Sequence, residues 1–165
     1  AKKVTVPDVV TDANGVTYAV TKIADNALTG NSKVTQVTIG KNITEIGKNA
    51  FKNCGKLTKV KVNSSKVTTI GAAAFSGDKA LKSIDLSKSK VTSIGKNAFA
   101  GCKKLSNIKL NGNTLKSVGK GAFKNVKKNA KITVIAKNKK TYDKVVKKLK
   151  KAGAVNVKFV FKKKK

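Results

Sequence analysis

The chain has 165 residues, 39% of them apolar, which is one domain's worth and enough for a modest core. Its 38 basic residues are all Lys, opposed by seven carboxylates and no His, giving a formal charge of +31. This excludes His-based acid–base chemistry, and without Arg the planar bidentate readout of phosphate or guanine is missing, so diffuse attraction to polyanions is favoured. No stretch of about 18 apolar residues is present to span a bilayer as a helix. The sequence contains no Met, so its translational start is expected to have been removed, with a signal peptide among the lost residues and a secreted or cell-surface location for the product.

In chain order, residues 1–19 read as an N-terminal cap. Val9–Thr11 and Val16–Val20 flank Asp12-Ala13-Asn14-Gly15, and Asn-Gly is a strong hairpin turn. This hairpin is expected to cover the first open edge of the repeats that begin at residue 20. Pro7 suits an edge position where no ladder donor is needed.

Residues 20–135 read as about five repeats. The phrase Ile-Gly-x-x-Ala-Phe begins at Ile46, Ile70 and Ile94, returns as Val118-Gly119 to Ala122-Phe123, and has a worn copy at Ile23 to Leu28, in steps of 23, 24, 24 and 24 residues. After each copy comes an LxxLxL pattern: Val34, Val37, Ile39; Leu57, Val60, Val62; Leu81, Ile84, Leu86; Leu105, Ile108, Leu110; and finally Ile132, Val134. The alternation marks a strand with one buried face. One further apolar residue precedes each copy: Val20, Ile43, Val67, Val91 and Leu115. A single unit cannot bury these side chains alone, whereas stacked units turn each column into a continuous row. The expected fold is therefore an α/β repeat, a leucine-rich-repeat solenoid with a parallel β-sheet on one face and short helical turns on the other. Gly47, Gly71, Gly95 and Gly119 are expected where a side chain would clash or φ is positive. Asn42, Ser65, Ser89 and Asn113 form a polar column suited to hydrogen-bonding the turn backbone.

Residues 136–165 read as a C-terminal helix–strand cap with a Lys tail. From Thr141, Tyr142, Val145, Val146, Leu149 and Ala152 share one helical face, with Asp143 in the first turn and Gly153 at the C-terminal end. Val155, Val157, Phe159 and Phe161 then alternate like one more strand, and Lys162–Lys165 is expected to fray.

Over residues 16–135, the recurring Ile-Gly-x-x-Ala-Phe-x-x-Cys followed by Leu-x-x-Ile-x-Leu resembles the BspA-like leucine-rich-repeat family of bacterial cell-surface proteins. That family's pattern often has Pro after the strand, where this chain has Gly40, Asn63, Ser87 or Asn111. The resemblance implies a secreted or wall-associated protein that binds host or neighbouring-cell ligands, with no catalytic residues to carry over.

Three sets of residues invite a chemical reading. Cys54 and Cys102 share one column with Asp78 between them. Two rungs separate the cysteines by about 10 Å, beyond the ~7 Å Cα span of a disulfide, so buried free thiols are expected. Asp78 reads as a carboxylate accepting backbone N–H bonds. The third set is the exposed sheet face, where two columns are predicted: Gln36, Lys59, Ser83, Asn107, Lys131 and Thr38, Lys61, Asp85, Lys109, Thr133. Asp85 should pair with Lys61 or Lys109. This concave face is the candidate ligand-binding surface; no metal, cofactor or catalytic site is predicted.

The function expected is therefore non-catalytic adhesion or interaction outside a bacterial cell, with an acidic protein or glycan held on the sheet face and Lys-rich surface. Electrostatic anchoring to an anionic cell-wall polymer or acidic polysaccharide is the alternative. Nucleic acid is disfavoured, because Arg is absent, aromatics are few and Lys is spread over every repeat.

Overall fold

The computed structural model describes residues 2–164. In chain order, strands run over Lys2–Thr5, Val9–Thr11, Thr17–Ala19, Lys22–Ile23, Val34–Ile39, Glu45–Ile46, Lys59–Val62, Thr69–Ile70, Ser83–Leu86, Ser93–Ile94, Asn107–Asn111, Ser117–Val118 and Lys131–Ala136. A helix, Lys139–Lys151, and a strand, Lys158–Lys163, complete the chain. The longer strands form a seven-stranded parallel sheet that begins with Lys2–Thr5 and ends with Lys158–Lys163. Five two-residue strands form a second parallel sheet. Each of the first five circuits contributes one strand to each sheet, and the helix follows Lys131–Ala136 in place of a sixth short strand, so the structure is a solenoid.

The interior is a set of rows. Phe51, Phe75, Phe99 and Phe123 stack face to face with ring centroids 5.1, 5.3 and 5.4 Å apart, all of them buried. Ala50, Ala74, Ala98 and Ala122 form a second row and Ile46, Ile70 and Ile94 a third, equally enclosed.

The wall carrying the Phe row is built differently from the expected helical turns. Amides alternate between two kinds of partner. Ala50, Lys52 and Cys54 bond within their own turn, to Gly47, Asn49 and Phe51 carbonyls at 3.3, 3.0 and 3.1 Å. Asn49, Phe51 and Asn53 instead donate to the next rung, to Ala72, Ala74 and Ser76 at 2.9, 2.8 and 2.8 Å. A helix would direct every interior amide to a carbonyl of its own segment, whereas this alternation gives the wall a third inter-rung ladder. It also requires left-handed residues at two places per turn: Asn49, Ala73, Asn97 and Gly121 in one column, Asn53, Gly77, Gly101 and Asn125 in the other. Asn and Gly tolerate this conformation; Ala73, at φ 52°, does not do so readily. The regularly spaced glycine of the Ile-Gly phrase has another cause. A Cβ on Gly95 would sit 2.5 Å from the Ala72 amide nitrogen, so its bare Cα permits one rung's backbone to lie on the last.

The buried polar column is also shifted in one rung. Ser64, not Ser65, points inward and donates to the Ile43 carbonyl at 2.7 Å, and Ser89 donates to the Ser64 carbonyl at 2.9 Å. Ser65 is exposed. Asn42 and Asn113 work at the rim, Asn42 donating to the Asp8 carbonyl and Asn113 accepting from the Lys137 amide.

At the N-terminal end the hairpin forms, Val9–Thr11 against Thr17–Ala19, but it covers nothing: all its strand residues are exposed. The first sheet edge is covered instead by Lys2–Thr5, with Pro7 just beyond that edge strand. Asp8 clamps the junction, accepting from the Lys41 amide and pairing with its ammonium at 3.3 Å. That amide bond, foremost, holds the Asp8 carboxyl below its ordinary range.

At the other end the helix begins two residues earlier than expected, capped by Asn138, whose side chain accepts from the Thr141 amide at 2.9 Å. Asp143 consequently falls beyond the first turn, where it pairs with Lys139. Tyr142, Val145, Leu149 and Ala152 are buried. The Ala152 carbonyl receives the Phe123 amide at 3.1 Å, so the helix end takes the place of another turn in the wall ladder. Lys148 donates its ammonium to the Lys116 carbonyl at 2.7 Å, at the end of the second sheet. Lys162 and Lys163 do not fray; they pair with Ile135 and Ala136. Lys165 lies outside the described residues.

Two substitutions test this architecture. Phe75→Ala is expected to lower the unfolding free energy by about 3–5 kcal/mol, measured by urea denaturation. Ala73→Asn is expected to relieve the left-handed strain by about 1 kcal/mol and to raise the melting temperature by roughly 2–4 °C, read by scanning calorimetry.

Candidate functional site

Strand register brings the predicted outer columns together. Lys3, Gln36, Lys59, Ser83, Asn107, Lys131 and Lys158 are successive partners in one of them. In the other, Thr5, Thr38 and Lys61 are partners, and beyond a break come Asp85, Lys109, Thr133 and Val160. The sequence pattern does not reveal Lys3 and Thr5, because Lys2–Thr5 is only four residues long and carries Lys on both faces. Lys158 and Val160 are legible from their alternation with Phe159 and Phe161.

Of the ten predicted residues, Lys59, Lys61, Ser83, Asp85, Asn107, Lys109 and Lys131 are exposed, and Gln36 and Thr38 are half-buried. Thr133 is the exception at 7% exposure. Lys109 and the added strand's Val160 flank it on either side, so it is floor rather than contact surface.

Asp85 pairs with Lys109 at 3.0 Å rather than with Lys61. It also accepts from the Ser87 hydroxyl at 2.6 Å and the Ser87 amide at 3.0 Å. Partial burial works to raise its pKa, but the Ser87 bonds and the Lys109 ammonium together outweigh it, and the carboxyl is held below its ordinary value. The single acid in these columns is thus internally satisfied and leaves Lys3, Lys59, Lys61, Lys131 and Lys158 uncompensated on the face.

The column Cys54, Asp78, Cys102 is wholly enclosed. Both cysteines are free thiols, donating to the Leu28 and Phe75 carbonyls at 3.0 Å each. Burial, reinforced by the Asp78 charge, pushes the Cys54 thiol up to about 11, and the same two causes push Cys102 well above the usual thiol range. Neither is a nucleophile at neutral pH. Asp78 accepts from the Cys54 amide at 2.8 Å through Oδ1, while Oδ2 has no partner. Burial raises its pKa to about 8, with the Cys54 amide pulling the other way. The carboxyl therefore stays protonated in the folded state at neutral pH.

This buried acid makes stability depend on pH with a definite sign. Between pH ~4, where an unfolded Asp titrates, and about 8, where the folded one does, the folded chain binds the extra proton, so stability falls as pH rises. Asp78→Asn removes this contribution. The melting temperature of the variant relative to the parent is expected to climb from pH 5 to pH 8, by up to about 1.4 kcal/mol of stability per pH unit; a gap independent of pH would contradict the buried-acid description.

Among the described residues no helix is long and apolar enough to cross a membrane. The BspA type leucine rich repeat region, as a family model, matches residues 17–152 in six copies, one more than the five counted from the Phe column. A leucine rich cell surface protein from Faecalibacterium prausnitzii is 30% identical with a TM-score of 0.67, over 82% of this chain and 38% of its own. The T. pallidum leucine rich repeat protein shares the fold at 23% identity and a TM-score of 0.64, over 81% of this chain and 58% of its own. The pneumococcal vaccine antigen PcpA does so at 15% identity and 0.59, over 99% and 56%. This chain thus spans well under two thirds of the length of these structures. No curated protein matches it. With the family model covering most of its length and every repeat occupying one rung of the solenoid, the chain belongs to the BspA-type leucine-rich repeat family.

Proposed function

We propose that this chain is a non-catalytic module of a bacterial surface protein, and that it binds an acidic protein or glycan through the outer face of its seven-stranded sheet. The observation that carries the reading is the alignment of Lys3, Lys59, Lys131 and Lys158 in one column and Lys61 and Lys109 in the next, against one internally paired carboxylate. Columns repeat at about 4.8 Å per strand, which offers a linear anionic partner several cations along its length. Lysine is a hydrated point charge, so such contacts are long in range and tolerant in geometry. A surface location is supported by the name of the F. prausnitzii structure, a leucine rich cell surface protein.

A second reading, anchoring to an anionic wall polymer or acidic polysaccharide by charge alone, is favoured by a separate feature. Lys140, Lys144, Lys147 and Lys151 all lie on the helix rather than on the sheet strands, and all four are exposed.

The two readings separate in one experiment. The parent, a Lys59→Glu/Lys61→Glu/Lys131→Glu variant and a Lys140→Glu/Lys144→Glu/Lys147→Glu variant are applied to arrays of acidic glycans and matrix proteins at low and high salt. Loss of about tenfold or more (roughly 1.4 kcal/mol) in the sheet variant only is expected for face recognition. Equal losses in both, abolished by salt, would favour anchoring; no loss in either would remove both.

A further inference from the structure

The seven-stranded sheet has a seam. Val34–Ile39 and Lys59–Val62 pair at four positions, and so do Ser83–Leu86 and Asn107–Asn111. Between Lys59–Val62 and Ser83–Leu86 only Lys59 and Ser83 pair. These are not frayed ends. Lys61 and Val62 are paired on their other side with Thr38 and Ile39, and Asp85 and Leu86 with Lys109 and Leu110. Two well-held strands therefore diverge and leave their facing edges unpaired within an otherwise continuous sheet.

The interior opens at the same place. Val62 is partly exposed, whereas Ile39, Leu86, Leu110 and Val134 in its column are at most 2% exposed. A cavity of about 350 Å³ occupies the gap. Its floor is Val60 and Val62, and its rim carries Lys59, Lys61 and Lys88. Asp85, the only acid on that rim, is turned to Ser87 and Lys109.

We infer that this seam is a subsite for one carboxylated sugar unit of an acidic glycan, held with its ring on Val60 and Val62 and its carboxylate among Lys59, Lys61 and Lys88. The inference deepens the reading of the outer face as a ligand surface and rests on it. Each part of the site has a use for such a ligand. The lysines answer the carboxylate, the unpaired strand edges offer backbone donors and acceptors to ring hydroxyls, and the valines provide apolar contact for the ring's C–H face. A bare inorganic anion would use the lysines and leave the floor empty. An added peptide strand would need a longer run of open edge than the three residues left unpaired on each strand.

The test is amide-resolved NMR on the full chain in about 0.3 M NaCl, a level at which unshaped charge attraction is largely screened. The probes are trigalacturonate, neutral galactotriose and inorganic sulfate. Trigalacturonate is expected to shift the amides of Val60, Lys61, Val62, Asp85 and Leu86 and to slow their hydrogen exchange, with galactotriose and sulfate doing so at least tenfold more weakly. Val62→Phe, which fills the gap, and Lys61→Gln/Lys88→Gln, which alters only the surface, are each expected to weaken trigalacturonate binding at least tenfold while retaining the parent's dispersed spectrum. Shifts spread evenly over the lysines of the face and indifferent to these variants would overturn the subsite while leaving the face reading intact. An equal response to galactotriose would overturn the requirement for acid. Absence of any shift on the face, together with array binding lost in the sheet-face variant, would overturn the subsite alone; absence of both would overturn the face reading as well.

Discussion

Everything in this molecule depends on hydrogen bonds that run along the solenoid axis from one circuit of chain to the next. Three ladders carry them: the long sheet, the sheet of two-residue strands and the alternating turns of the Phe wall. Backbone groups enclosed in a protein must be paired, and no circuit pairs all of its own. The side-chain rows are set by this spacing. The phenylalanine rings lie 5.1 to 5.4 Å apart, close to the strand separation of about 4.8 Å, because each ring is carried by its own rung. Apolar burial supplies the driving force, but the ladders set where each side chain can lie.

How much of this is legible in the residues depends on the period of the feature. Columns of Phe, Ala, Ile and alternating strand residues repeat over four or five circuits, and their register in the structure is the one their spacing predicts. Departures come where a single residue differs from its column. Ser64 replaces Ser65 because the turn after Val62 differs from its neighbours in where the hydroxyl can reach two carbonyls, those of Lys41 and Ile43. The Asn and Gly columns at left-handed positions are visible in the sequence once the turn type is known, yet Asn-x-x-x-Asn also fits a helical turn, which is the reading the spacing first suggests. Non-repeating ends are hardest. Lys2–Thr5 has no periodic partner to betray it, and the helix cap at Asn138 lies ahead of the apolar face that signals the helix.

The candidate face shows the same division. Alternation identifies which side chains point outward, so Lys59, Lys61, Lys109 and Lys131 are found from sequence alone. Their burial is another matter: Thr133 is sheltered by its neighbours in space, Lys109 and Val160, one of which comes from the C-terminal cap. The seam beside Asp85 is invisible in the pattern, since Val60 and Val62 match the strand template as well as Ile84 and Leu86 do. What distinguishes them is a backbone separation, which no single side chain encodes. Asp78 stands between these cases. Its column predicts burial and an amide partner, and both are present, but only the enclosure of Oδ2 explains why it holds its proton.

The glycine stacked against the preceding backbone bears on how such a scaffold can change over generations. Gly95 tolerates no side chain above Ala72, so slippage there by one residue would drive a Cβ into a neighbouring peptide unit. The turn after the strand is more forgiving: Ile43 stands four positions after Ile39, and Val67 five after Val62. Lineages built on this plan can therefore lengthen or shorten by duplicating or losing entire circuits, with small length drift confined to one corner. Each duplicated circuit would extend the outer surface by two more side-chain positions, so ligand reach in such proteins becomes a matter of copy number.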